Sequence, residues 1–128
     1  GLLRVRLKYL DELTEEKRLI CERYLKELKN DKIILPRIRE GATHIWHQFV
    51  IKSDYRDELI EYLNERGIGT IIHYPIPPHL SEAYQYLKMK EGDLPITEEY
   101  ARTVLSIPLY NGMTKEEQDY VIQCINEF

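Results

Sequence analysis

From Leu2 to Leu28 apolar side chains recur at Leu3, Leu7, Leu10, Leu13, Ile20, Tyr24 and Leu28, with no proline or glycine among them. That spacing marks one face of a helix, and a single long helix is predicted, already running at residue 2. At about 1.5 Å per residue it would be roughly 40 Å long, whereas a compact chain of this size is only about 36 Å across. The sequence opens on Gly1 and its methionines are Met89 and Met113. These features together predict a connecting helix cut from a larger protein. A helical arm or a dimerising helix is the other reading.

The pattern changes after Asn30. Residues 30–43 carry Pro36, Gly41 and mixed charge and read as a loop, with Ile33-Ile34-Leu35 a short edge strand ended by the proline. His44 to Lys52 is rich in aromatic and β-branched residues and predicts a strand, in which His47 shares a face with Ile45 and Phe49 while Trp46 shares the other with Gln48 and Val50. Asp54 is the expected cap of a helix that carries Leu59, Ile60 and Leu63 inward and ends at Gly67. Ile68 to Tyr74 predicts a second strand, completing a βαβ-type unit stopped by Pro75, Pro77 and Pro78.

Beyond the prolines, Ser81 is the expected cap of a short helix through Leu87, and Glu91-Gly92-Asp93 turns the chain. Pro95 starts a helix to about Val104, and Leu105 to Leu109 forms a brief third strand. Thr114 and Glu117 have capping-box spacing and open a last helix with Tyr120, Val121, Cys124 and Ile125 on its inner face. The expected fold is α+β: a small sheet of about three strands covered by helices, preceded by a long helix. Residues 1–29 are assigned to the long helix and 30–128 to one α/β domain.

Composition narrows the function classes. The 128 residues suit one domain, and 18 basic against 22 acidic side chains remove the basic field that nucleic-acid binding requires. No apolar run approaches the roughly 18 residues of a bilayer span, so neither nucleic acid nor membrane is an expected partner. Cys21 and Cys124 form no Cys-x-x-Cys pair and no disulfide framework, which fits a reducing cytoplasm.

The stretch His73-Tyr74-Pro75-Ile76-Pro77-Pro78-His79 carries two imidazoles and a phenol in a loop stiffened by three prolines. A stiff loop loses little entropy on binding, and such donors suit sugar hydroxyls or phosphate oxygens; a solvated connector is the alternative. His47, flanked by Ile45 and Phe49, reads as a satisfied core residue before it reads as a ligand contact. Tyr110 stands at the end of the third strand, as able to pack as to bind. The four histidines make no helical His-x-x-x-His pair, and neither His73 nor His79 has an acidic neighbour in sequence, so no metal site is expected. No Gly-rich phosphate loop and no nucleophile elbow occur. The residues by themselves give an α+β domain with one histidine- and proline-rich loop able to touch a ligand.

Five segments in order carry a resemblance that covers essentially the whole chain: residues 3–12 (LRVRLKYLDE), 44–51 (HIWHQFVI), Gly67 to Thr70 with His73 to His79, Gly92 to Pro95, and Leu105 to Tyr110. The chain resembles the C-terminal part of the DegT/DnrJ/StrS family of pyridoxal phosphate (PLP)-dependent nucleotide-sugar aminotransferases. That resemblance implies the small domain of an aspartate-aminotransferase-like (type I PLP) fold, a homodimer, and transfer of an amino group from glutamate to a keto sugar on a nucleoside diphosphate. It makes the first helix the link between large and small domains.

The resemblance also implies a division of labour. The Schiff-base lysine and the acidic partner of the pyridine nitrogen belong to the family's large domain, and none of the nine lysines here occupies that motif. The chain then supplies no catalytic residue, binds no PLP itself and is inactive in isolation. It contributes substrate contacts, for which His73 and Tyr74 lead, His79 follows, and His47 and Tyr110 are outer candidates. The unbroken Ile71 to His79 segment resembles members acting on dTDP-linked 3-keto-6-deoxy sugars. A stand-alone regulatory or ligand-binding module is the alternative reading.

Overall fold

In the computed structural model, which describes residues 2–128, the opening segment is helical but not continuous. Helix α1 (Leu2–Arg6) passes through a 3-10 turn at Leu7–Tyr9 into α2 (Leu10–Glu27). Only the second half of α2 is packed: Ile20, Cys21 and Tyr24, with Leu28 beyond its end, are buried, whereas Leu3 is 78% exposed and Leu7 and Leu10 are also exposed. Helices owe most of their stability to packing of an apolar face. The unpacked first turns have only local propensity to hold them, and there the predicted single helix is interrupted.

The sheet is smaller than the sequence predicts. Strands β1 (Phe49–Lys52) and β2 (Val104–Ile107) pair antiparallel, with Phe49 opposite Ile107 and Ile51 opposite Leu105. The expected strands at 33–35 and 68–74 are each reduced to one bridge, Ile34 with Lys52 and Ile71 with Ser106. Register explains why. One step from the Ile71 bridge places Gly69 opposite Pro108, which has no N–H, and the other places His73 opposite Val104, whose N–H already donates to Tyr100 at the end of helix α4 (Pro95–Thr103). On the other edge the next partner of Val50 is Pro36, again without a donor. The Ile71 segment runs parallel to β1 with β2 between them, so the expected βαβ unit is a split one.

The predicted strand 44–52 begins only at Phe49. Trp46 adopts a left-handed backbone (φ 55°), its N–H donating to His44 Nδ1 at 2.9 Å. This turn reverses the expected alternation: Trp46 is buried and stacks on Phe49, with ring centroids 5.3 Å apart. Ile45 is 68% exposed. His47 is exposed as well, so it is not the core histidine that strand geometry suggests.

Helix α3 (Arg56–Glu65) is not capped by Asp54; the Ser53 hydroxyl accepts from the Tyr55 N–H and donates to the Lys32 carbonyl. Its far end is as expected: Gly67 (φ 72°) permits paired bonds from Gly67 N–H to Asn64 and from Ile68 N–H to Leu63. The segment after Ser81 is a 3-10 helix (Glu82–Leu87), and the Ser81 hydroxyl points back to the Pro78 carbonyl instead of capping it. Helix α5 (Lys115–Glu127) opens on the predicted capping box of Thr114 and Glu117. Tyr120 is not on its inner face; it is half-exposed and donates to the Arg66 carbonyl, while Val121, Ile122, Cys124 and Ile125 pack inward. Helices α2, α3 and α5 thus cover the Phe49, Ile51, Leu105 and Ile107 face in one core, an α+β arrangement as expected.

Candidate functional site

The other face of β2 carries Ser106, a small polar residue in an otherwise apolar strand. Its backbone exchanges both hydrogen bonds with Ile71, at 2.9 and 3.1 Å. That bridge brings His73, two residues on, over the Ser106 side chain. His73 Nδ1 lies 3.0 Å from Ser106 Oγ and Nε2 lies 3.1 Å from the Gln48 amide nitrogen. An amide nitrogen only donates. The partners therefore assign the neutral ring its proton on Nδ1, which donates to Ser106, while Nε2 accepts from Gln48.

His47, Gln48, Gly69, His73, Ser106 and Pro108 line one cavity of about 270 Å³. No lysine, arginine or carboxylate lines it, so its polar surface consists of imidazole, amide and hydroxyl groups. Such a surface matches alcohol groups better than a bare anion. Tyr74 stands beside it, 73% exposed, its ring edge-on to His73 with centroids 5.7 Å apart, across a cis peptide bond.

The remaining candidates are elsewhere. His79 is 7% exposed, and its Nε2 lies 3.0 Å from Glu98 Oε1. With its one bonded ring nitrogen facing the carboxylate and Nδ1 buried without a partner, it anchors the loop and presents no exposed polar atom to a ligand. Glu98 is the acidic neighbour that local sequence does not place beside it. That carboxylate also accepts from the backbone N–H groups of Gly92 and Leu94; the Gly92 N–H first, then His79 and then the Leu94 N–H hold its pKa below the usual carboxylate range. Tyr110 lines a separate cavity of about 420 Å³ with Gly67, Met113, Glu117 and Tyr120. The neighbouring Glu117 carboxylate raises the pKa of its phenol.

The structure therefore brings together His47 and His73, with Tyr74 edge-on to the His73 ring, and sets His79 and Tyr110 apart. It adds Gln48, Ser106 and Glu98. Ser106 had a signal in sequence, a polar residue inside Val104-Leu105-Ser106-Ile107; Glu98 and Gln48 had none that distinguishes them from a solvated helix face and an ordinary strand residue. Among the described residues no three metal-ligating side chains converge, and no helix is long and apolar enough to cross a membrane.

Comparison with known proteins places this geometry in context. Residues 1–126 match the DegT/DnrJ/EryC1/StrS aminotransferase family. The chain is 36% identical over its whole length to dTDP-3-amino-3,6-dideoxy-alpha-D-galactopyranose transaminase of Aneurinibacillus thermoaerophilus, covering 35% of that protein. It superposes on the crystal structure of DesV from S. venezuelae with a TM-score of 0.94 at 37% identity, covering 98% of this chain and 34% of that one. For NtdA from Bacillus subtilis with bound cofactor PMP the TM-score is 0.82 at 32% identity, over 95% of this chain and 29% of that one. The chain thus spans about a third of the length of the curated relatives it matches.

Proposed function

The chain belongs to the DegT/DnrJ/EryC1/StrS aminotransferase family, and from that premise we propose that it is the C-terminal part of an enzyme moving an amino group from glutamate to a nucleotide-linked keto sugar. Residues 1–29 then link it to the cofactor-binding part and 30–128 form the small domain of a homodimeric cytoplasmic enzyme. The observation that carries this reading is the cavity at His73, whose uncharged polar wall lies within a chain similar throughout to sugar transaminases. His47 and the exposed Tyr74 phenol offer hydrogen bonds to sugar hydroxyls, and the His73 ring, bonded to Gln48 and Ser106, forms the wall beside them. A dTDP-linked 3-keto-6-deoxyhexose is the substrate class that the relatives favour.

Aminotransferases of this kind use PLP, whose attachment needs a desolvated lysine amine. The residues present do not fit that role. Lys17 and Lys52 are half-buried and the other lysines exposed. Lys52 pairs with Glu99, which raises its pKa and keeps it protonated, and no lysine lines the His73 cavity. The chain's own part is to bind and orient the sugar, with the lysine supplied by the rest of the enzyme.

The test compares the full-length polypeptide with residues 1–128 alone. Each is given dTDP-3-amino-3,6-dideoxygalactose and 2-oxoglutarate, and glutamate formation is followed. Activity in the full-length protein and none in the isolated chain is the expected result. Transamination by the isolated chain would overturn the division of labour. Nucleotide-sugar binding by a full-length protein that transfers nothing would favour a regulatory module.

A further inference from the structure

The proline-rich loop is held at both ends by one continuous piece of structure. At its start His73 is bonded to Ser106 on β2, and at its end His79 is bonded to Glu98 on α4. Helix α4 ends at Thr103 and β2 begins at Val104, so the two attachment points belong to consecutive elements with no loop between them. Between the attachments Pro75, Pro77 and Pro78 restrict φ, while Tyr74 and Ile76 are turned outward and exposed.

Glu98 is the more constrained of the two attachments. It is only 5% exposed, and a buried carboxylate needs its lone pairs filled. The Gly92 N–H donates to both oxygens at 2.8 and 2.9 Å, the Leu94 N–H donates to Oε1 at 3.2 Å, and His79 Nε2 lies 3.0 Å from the same oxygen. Gly92 reaches it with φ 93°, a conformation that other residues rarely adopt. One side chain therefore joins the loop, the 92–94 turn and α4.

We propose that Glu98 is a positioning residue for the loop that faces the substrate, its buried carboxylate fixing the His79 end so that the prolines hold Tyr74 and His73 at the cavity. The inference rests on the reading of that loop as the sugar-binding side. The stiffness of the three prolines is the physical link: a rod pinned at two points keeps its middle in place, and one released at His79 does not. A residue that merely stabilised the fold would weaken the protein without distinguishing one substrate from another.

Transamination separates the two cases, because the amino donor and the sugar are handled in successive half-reactions. The experiment uses the full-length enzyme as wild type, E98Q, E98A and H79Q. Release of 2-oxoglutarate from glutamate without sugar is measured separately from the KM for dTDP-3-amino-3,6-dideoxygalactose, and amide hydrogen exchange is followed over residues 73–94. E98A and H79Q are expected to raise the sugar KM about tenfold and to speed exchange at residues 74–80, while the glutamate half-reaction stays within about twofold. E98Q, which keeps one acceptor oxygen, is expected to fall between. Parallel losses in both half-reactions, or faster exchange with an unchanged sugar KM, would overturn the proposal. H79Q decides the matter if E98A does not fold, since it leaves the backbone donors of Glu98 in place. A wild-type enzyme unable to accept the amino group from glutamate would sink the functional reading instead. The exchange data then judge the Glu98 attachment by themselves, unchanged exchange in both E98A and H79Q counting against it.

Discussion

The hydroxyl of Tyr24 on α2 donates to the carbonyl of Pro108, just past the end of β2, at 2.9 Å. The ring is fully buried and meets Phe49 edge-on with centroids 5.1 Å apart. Burial raises the pKa of the phenol, so it stays a donor at every physiological pH. The second half of the opening helix is thereby part of the same core as the sheet. Tyr24→Phe keeps the packing and leaves the carbonyl without this donor, and is expected to cost about 1–2 kcal/mol in urea unfolding. An unchanged midpoint would show that the bond contributes nothing.

Gly67 ends α3 with φ 72°, and a Cβ there would meet no neighbour within 4 Å. The cost of a side chain is therefore conformational alone. Gly67→Ala is expected to destabilise by about 1–2 kcal/mol, and Gly67→Asn by less, because asparagine tolerates the left-handed region. Equal losses for the two would point to a steric cause.

At the start of α5 the Thr114 hydroxyl accepts from the Glu117 N–H at 3.2 Å while the Glu117 carboxylate accepts from the Thr114 N–H at 2.8 Å. Thr114→Ala removes one of these bonds and is expected to lower stability by about 1 kcal/mol. Thr114→Ser should restore most of it.

Acid sensitivity should report the Glu98 attachment. Its folded pKa is depressed, first by the Gly92 N–H and then by His79. The stabilisation is thus fully present above the ordinary carboxylate value of about 4.3 and is lost as pH falls through the lower folded value. Glu91 and Arg102 line the adjoining cavity and His79 faces the carboxylate directly. Glu16, held low mainly by Asn111, and Glu117, held low mainly by the Thr114 N–H, add to the same acid limb. The Tm of the wild type is expected to fall more steeply than that of E98Q between about pH 4.5 and pH 2; parallel curves would contradict the assignment.

His73 is half-buried and bonded at both ring nitrogens. In the full-length enzyme His73→Ala is expected to raise KM or lower kcat for the sugar, with a Tm loss below about 5 °C. A large Tm loss with intact kinetics would make His73 a structural residue.

What sequence alone settled lies within a few residues of its cause. Gly67 ending α3, Pro95 starting α4 and the Thr114 box starting α5 depend on φ preferences and on donors three or four positions away, and all three are where the sequence places them. The histidine- and proline-rich loop was likewise visible as a stiff carrier of polar groups. Where partners come from distant segments, only the folded chain decides. Pro108 and the capping demand on Val104 limit the expected strand at 68–74 to a bridge, and the left-handed Trp46 exchanges the inward and outward residues ahead of β1. The same holds for the site: Ser106 and Gln48 converge on His73 across the sheet, and Glu98 on α4 meets His79 at the end of the loop. Local rules fix how each segment bends, but a buried polar atom takes whichever partner packing brings within reach, and that choice is made in three dimensions.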